Sequence, residues 1–551
     1  MNRFINNTFR KPAVQWSLGG CILAIAVFIL LYYITGPSIG YIHSDCTDSL
    51  LWALASEQTG AVLAEDFHYA ALLPFGSPIW TVPILSVFGF SVTAYKLSMS
   101  VFAVLFALSA FSLFRAMRFK PISSSLSTFG LCLLLSGSPK LREIMWEHTI
   151  YYSIGILLTM LLLNLCLRLF PYLKAWELRR GDRKNYVWFI IFATLLLLLC
   201  IGCGLNGMQI LIITVVPVLG AFMVQTLSDN HTRLFSRKAT KHYIICGILL
   251  VGTVIGLLLL RVFTKGGAII AGYEEAYSTW SSPSTWAQNA EIILGQYLSL
   301  FGIPQDIQQP LFSLESICII LQLGGALLTL ICPILLAFRY HSLQHTSSKT
   351  IMWTHFLVSA VILFGMICGA LSSAEWRLTP MLGTALLATI VYIREMFAGT
   401  IVCKRIAALI AAVLVSVSVL HSITILKMPY EYGKDREHAV IAQMLEEKGY
   451  DYGYATFWNC HITRLLSDDA VTVLPIEIIN EDLHIYRHQL RDAWLQERND
   501  EDCFLLLDRL EYAGLRDSQY WEEVLAPLPL IDTIEHGNFI VLVFQGNVIK
   551  E

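Results

Sequence analysis

Two carboxylates three residues apart, Asp45 and Asp48 in the stretch YIHSDCTDS (41–49), stand a few residues beyond a long apolar run. If a helix starts near Ser44, that spacing puts both acids on one helical face. A carboxylate at a lipid boundary, beside aromatic residues and with no cation in its own segment, can take a proton from an incoming hydroxyl. The plainer role is structural, with Ser44 or Asp45 capping the helix. A second polar cluster follows at Glu65, Asp66 and His68 with Tyr69; its plain reading is a solvated turn. A third, Glu147 and His148 before Tyr151 and Tyr152, either holds a substrate or anchors the start of a span.

The complement to these acids is a small set of cations outside the main basic clusters: Lys140, Arg142, Arg261, Lys265 and Arg377. Guanidinium groups grip phosphate in a bidentate fashion, so an anionic lipid phosphate is the natural partner for such residues. The alternative is that each snorkels to interfacial headgroups.

The elements that must position these groups are membrane spans. Hydrophobic residues make up 56% of the 551 and charged ones 14%, and the mean hydropathy is +0.60, outside the range of ordinary soluble domains. Apolar runs long enough to cross a bilayer occur near 16–36, 93–114, 121–137, 150–170, 186–203, 208–226, 243–263, 317–338, 351–371, 379–396 and 406–426. The expected fold is therefore mainly α, a polytopic membrane protein with about eleven transmembrane helices. Of these spans, 121–137 and 379–396 carry the weakest signal. Lys and Arg collect in alternate loops, among them Arg115, Arg118 and Lys120, then Lys174, Arg179, Arg180, Arg183 and Lys184. Positive-inside asymmetry makes those loops and the N-terminus cytoplasmic. The loop 37–92 then lies outside; the segment from Gly36 to Tyr95 has no Lys or Arg.

Domain organisation follows: a transmembrane domain over 1–426, with outer loops 37–92, 138–149, 264–316 and 372–378, and an extracytoplasmic domain over 427–551. The stretch DSLLWALASEQTG reads as an amphipathic helix on the membrane surface. In the tail, DYGYATFW, AVTVLPIEI, CFLLLD and NFIVLVF read as strands and HAVIAQMLEEKGY as a helix, giving a small α/β domain. Most of the thirteen cysteines sit in apolar spans, where a thiol acts as a small hydrophobe. Cys200 and Cys203 form a C-x-x-C with no second ligand pair, which is too little for a metal site.

This layout resembles the GT-C type membrane glycosyltransferases, which include the protein O-mannosyltransferases and the lipid A aminoarabinose transferases. The resemblance rests on an acidic first outer loop directly after the first span, a surface helix behind it, a second short outer loop, and EWRLTP leading into a late span. RLTP at 377–380 matches the Arg and Pro of the family's Arg-Tyr-Leu-x-Pro-like stretch and lacks the Tyr. GYATFWNCHITRLLSDDAVTV is similar to a pattern in uncharacterised bacterial members. Asp45 is followed by Cys46, so the Asp-Glu pair of the mannosyltransferases is absent.

The resemblance implies transfer of a sugar from a polyprenyl-phosphate donor to an acceptor hydroxyl at the outer face of the cell membrane. Asp45 would be the base, with Asp48 beside it and Arg377 on the donor phosphate. No cytoplasmic domain is large enough for a nucleotide-sugar fold and no Gly-rich phosphate loop is present, which favours a lipid-linked donor. The expected partners are that donor, a glycan, lipid or protein acceptor and the bilayer, with no nucleic acid. No cofactor is demanded; a divalent metal is compatible with the acids. Two other classes compete. A lipid-linked glycan transporter or flippase would place ionisable residues in mid-span, where Lys96 and His355 are the main examples. A non-catalytic protein binding envelope glycan would need none of the acids.

Overall fold

The computed structural model describes residues 11–177, 183–229, 236–265, 269–270, 279–371, 374–433, 435–498 and 501–549. Among the described residues, ten helical segments are long and apolar enough to cross a membrane. They are built from α1 (Pro12–Thr35), α4 (Val92–Ala116), α6 (Tyr151–Glu177), α7 (Arg183–Leu205), the pair α8 (Gly207–Ile213) and α9 (Val215–Ser228), α10 (Arg237–Thr264), α12 (Leu314–Phe338), α13 (Thr346–Ile367), α14 (Thr379–Phe397) and α15 (Ile401–Leu426). Each coincides with one expected span. The last but one, weak in hydropathy, is the most enclosed of them: Thr379 through Tyr392 of α14 are buried without a break. A helix wrapped by other helices needs less apolar surface than one facing lipid.

The remaining expected span is α5 (Pro121–Leu134). Its 14 residues extend about 21 Å, less than the hydrocarbon thickness of about 30 Å. Nevertheless it runs the depth of the bundle. Its start packs against Gly19 in the first half of α1, and near its end the carbonyl of Leu133 accepts from His421 Nδ1, late in α15, at 2.9 Å. Both ends are enclosed by neighbouring helices, and the turn 135–138 completes the passage. With it, each of the eleven expected segments has a helix among the described residues, ten of them long and apolar enough to cross a membrane. Close packing comes from small residues: a Cβ at Gly256 of α10 would run into the Ile201 carbonyl and Gly204 of α7.

Between the spans lie α2 (Asp48–Thr59) and α3 (Pro78–Phe88) in the first loop, α11 (Trp286–Leu300), and the paired two-residue strands β1 (His68–Tyr69) and β2 (Ile269–Ile270). The helix α2 is present as expected, but it is enclosed by protein rather than exposed. Asp48 through Ala55 are all buried, because α3 covers one side and the C-terminal domain another. That domain holds α16 (Glu437–Lys448), β3 (Tyr452–Thr456), α17 (Phe457–Leu466), β4 (Thr472–Ile479), β5 (Asp482–Ile485), β6 (Asp502–Asp508), α18 (Arg509–Arg516), β7 (Leu530–His536) and β8 (Phe539–Gln545). The sheet order is β5-β4-β3-β6-β8-β7. β3 runs parallel to β4 and β6, and the other pairings are antiparallel. The four expected strands are β3, β4, β6 and β8. The two edge strands, β5 and β7, went unread because their exposed faces carry the polar residues of a turn or helix.

Two short contacts tie the domain to the first loop. Glycines let the chain cross itself where the domain begins: Gly433, in the left-handed region at φ 86°, lies against Gly40, and a Cβ at Gly40 would strike the Tyr432 ring. Beyond it, Arg436 Nη1 donates to the carbonyls of Ile42 (2.7 Å) and Ile39 (3.0 Å). The domain and Asp45 thus share one end of the bundle. Topology reporters inserted after Gly60 and fused at the C-terminus should read the same side of the membrane. Opposite readings would mean that α5 does not cross.

Candidate active site

Residues 41–48 reach the end of the bundle through two short turns, and Ser44–Thr47 is a tight 3-10 turn leading directly into α2. Neither turn nor helix has a side-chain cap, so Asp45 and Asp48 are not capping residues. Both instead line one cavity of about 820 Å³. Lys140, Glu143 and His148 from the turn 139–148, and Trp376 and Arg377 from the 3-10 turn Glu375–Leu378, line it as well. The acids of the first loop and Arg377 therefore face the same space.

The other wall is apolar. Met208 and Ile212 of α8 and Phe364 of α13 line the cavity, yet they are 53%, 37% and 55% exposed. Residues that are at once cavity wall and outer surface mark a side opening, here between two membrane-spanning helices. The cavity thus has a charged end and an open apolar side at α8 and α13.

Within the charged end, Lys140 Nζ is 2.7 Å from Glu143 Oε1, His43 Nε2 is 3.1 Å from the same oxygen, and Lys140 lies 4.8 Å over the Trp376 ring. His148 Nε2 is 3.6 Å from Asp48 Oδ2. Burial would raise Glu143, but hydrogen bonds and charge from His43 and Lys140 outweigh it and hold this carboxyl below its usual range. The two aspartates go the other way. Burial, then the charge of Asp48, raises Asp45, with His148 and His43 opposing. Burial raises Asp48 well above the ordinary range; the Gln489 amide and His43 offset only part. Burial lowers His148 to about 4, so it is neutral near pH 7.

The other candidates are distributed differently. Glu147 is fully buried behind the wall, accepting from Tyr33 Oη. Arg142 is buried beside it, 5.5 Å over the Tyr33 ring and donating to the Ser136 carbonyl at 3.2 Å. Glu65, Asp66 and His68 are not in the cavity wall. Glu65 is exposed, Asp66 Oδ1 is 2.9 Å from Arg491 Nε, and His68 Nε2 is 3.0 Å from Asp492 Oδ1, so the last two fasten the C-terminal domain. Arg261 and Lys265 are exposed at the end of α10, outside the cavity. Among the described residues, no group of three or more His, Cys, Asp or Glu side chains is arranged to hold a metal ion.

Several cavity residues escaped the sequence reading: His43, Glu143 and Trp376, together with Trp458 and His488 from the C-terminal domain. Glu143 had a signal, its i,i+3 spacing from Lys140. Trp458 stood in the GYATFW stretch of the resemblance with no role given to it and His488 had no signal, since only docking of the domain brings them there. His355 of α13 has a structural partner, Thr384 Oγ1 at 3.1 Å.

The fold that carries this cavity is similar to that of solved integral-membrane transferase structures. The solved structure of ArnT, the lipid A aminoarabinose transferase, from Cupriavidus metallidurans bound to undecaprenyl phosphate is similar over 96% of this chain and 98% of that one. Its TM-score is 0.57 at 10% sequence identity. The apo state of the same protein gives 0.55 over 97% and 99%, also at 10% identity. The archaeal oligosaccharyltransferase AglB from Archaeoglobus fulgidus is more distant, at a TM-score of 0.47 and 9% identity over 90% of this chain and 70% of that one. No family model and no curated protein sequence matches the chain.

Glu147 provides a test of the electrostatics. Burial first, with the charge of Glu143 assisting and the Tyr33 hydrogen bond opposing, raises it to about 8. The folded protein then holds a proton that the unfolded chain releases above about 4.3. The stability this contributes is full below that value and is lost as pH rises through about 8, at up to about 1.4 kcal/mol per pH unit. Glu147→Gln should flatten that decline in thermal melts between pH 5 and 8. An unchanged pH slope would show that Glu147 is ionised in the fold.

Proposed function

We propose that this protein transfers a sugar from a polyprenyl-phosphate donor to an acceptor hydroxyl at the extracytoplasmic face of the cell membrane. The observation that carries the reading is the single cavity joining Asp45, Lys140 and Arg377 to an apolar side gate. A lipid-linked sugar phosphate has that division of chemistry, with its prenyl chain in lipid and its anomeric carbon at the boundary. The fold likeness supports the same substrate class, since the similar ArnT structure is one bound to undecaprenyl phosphate.

In the proposed reaction the prenyl chain enters between α8 and α13. Lys140 and Arg377 face its phosphate. Asp45, the less buried of the two aspartates, accepts the proton of the acceptor hydroxyl as that oxygen bonds to the anomeric carbon. The bond from that carbon to the phosphate oxygen breaks through an oxocarbenium-like state, by analogy with glycoside hydrolysis. The lipid phosphate leaves with the electron pair, and a preorganised cation on it contributes about 3–4 kcal/mol. Glu143, held ionised by His43 and Lys140, fixes the position of the lysine ammonium. The sign asymmetry of the loops supports a cytoplasmic N-terminus and an outer C-terminal domain over 427–551.

A lost general base costs about 10²–10⁴-fold in rate. In purified protein reconstituted with lipid-linked donor, Asp45→Asn should bind donor and lose turnover on that scale. Asp48→Asn should be the milder change, because burial already favours the uncharged form of Asp48 that Asn imitates. The reverse order would move the base to Asp48, and near-normal rates in both would end this reading. Arg377→Lys keeps a point charge without the planar fork, so donor affinity or turnover should fall clearly. Wild-type transfer by Arg377→Ala would leave Lys140 as the sole clamp.

A further inference from the structure

The cavity has a third wall, contributed by the C-terminal domain through Trp458 and His488. Trp458 is in the first turn of α17, a helix whose residues Cys460–Leu465 are all buried. The indole is nevertheless 59% exposed, and it stands in the cavity wall. It is held without being covered. The His43 ring lies 5.7 Å away, edge-on, and Phe457 lies 5.3 Å away at 73°. Phe457 in turn packs against His488 at 4.9 Å, and Tyr486 stacks on His488 at 5.2 Å and 24°.

We propose that Trp458, with His488 and His43 at its margin, is a saccharide-binding platform that receives a glycan acceptor opposite the lipid-linked donor. The proposal deepens the transferase reading and rests on it for the acceptor role. A sugar ring presents a face of C–H bonds, which suits the electron-rich face of an indole, and a rim of hydroxyls, which suits imidazole nitrogens. Charge selects among acceptor classes. The acids and cations of the cavity come from the membrane-domain loops, whereas the C-terminal domain adds, among the described residues, only these two rings. Burial lowers His488 to about 4, so it is uncharged near neutral pH. An anionic lipid headgroup or a charged peptide would find no complementary charge on this wall. An uncharged, polyhydroxylated chain finds what it needs.

The test uses the full chain in phospholipid nanodiscs and four soluble probes, tetrasaccharides of glucose, mannose, galactose and N-acetylglucosamine, read by saturation-transfer NMR. At least one should bind the wild type, with saturation arriving on ring C–H protons. Trp458→Ala should weaken that binding about tenfold and Trp458→Phe by no more than about threefold. Trp280→Ala, which removes an indole 69% exposed but outside the cavity, should not change it. Failure of all four to bind the wild type, or wild-type binding by Trp458→Ala, overturns the platform. Undecaprenyl phosphate titrated into the same samples reads the donor side separately. Lipid-phosphate binding without saccharide binding sinks the platform and leaves the transferase reading; saccharide binding without lipid-phosphate binding supports the platform and sinks the transferase reading.

Discussion

The site depends on the docking of one segment of the C-terminal domain, residues 486–492, against the first loop. Backbone hydrogen bonds set it in register: His68 N to the Leu490 carbonyl at 2.8 Å, Gln489 N to the His68 carbonyl at 2.9 Å and Asp492 N to the Asp66 carbonyl at 2.9 Å. Side chains lock it, through Asp66 with Arg491 and His68 with Asp492. Half-buried pairs of this kind stabilise weakly one by one, so the specificity comes from the set. At its centre Gln489 is fully buried at φ 55°, a conformation that is costly for a residue with a Cβ. Its Oε1 accepts from Trp52 Nε1 at 2.6 Å, which places the amide beside Asp48. The docking turns a loop helix into a buried one and encloses the aspartates at its start.

That enclosure sets the electrostatics. Asp45 and Asp48 are raised by burial, whereas Glu143, in the same cavity, is lowered because Lys140 and His43 outweigh its burial. Three carboxyls at one boundary are thereby separated into a well-ionised one that holds a cation and two whose charge is disfavoured. Only one of the disfavoured pair is open enough to exchange a proton with a ligand. A base with an upward-shifted proton affinity suits abstraction from an alcohol better than an ordinary carboxylate does.

Much of this was legible in the chain, and the boundary between what was and what was not is physical. Span positions follow from local hydropathy, and all eleven expected segments have a helix in the structure. The central strands follow because β6 and β8 are continuous runs of apolar residues. Asp45, Lys140 and Arg377 stood out because charge beside apolar sequence demands a reason. The surface position expected for α2 failed because amphipathicity cannot distinguish a membrane from a domain that covers the polar face. Asp66 and His68 attracted attention for the same chemistry as Asp45, but their partners lie more than 400 residues on. No local pattern encodes such a pairing. The cavity positions of Trp458 and His488 were invisible on the same ground.

The C-terminal domain therefore does more than cap the bundle. Asp468, in the left-handed region at φ 50°, accepts from Val92 N at 2.7 Å, at the start of α4. α4 in turn touches the site, since Tyr95 Oη donates to the Glu147 carbonyl at 3.1 Å. One domain thus bonds to both ends of the first loop and to the segment that lines the cavity. A displacement of the sheet would be felt at α4, at α2 and at the wall bearing Trp458 together, because one domain makes all of these contacts. Any movement that admits or releases a ligand on that wall must also alter the burial of Asp48, and with it the proton affinity of the aspartates. The enclosure of Asp48 and the wall bearing Trp458 thus both come from one docked domain.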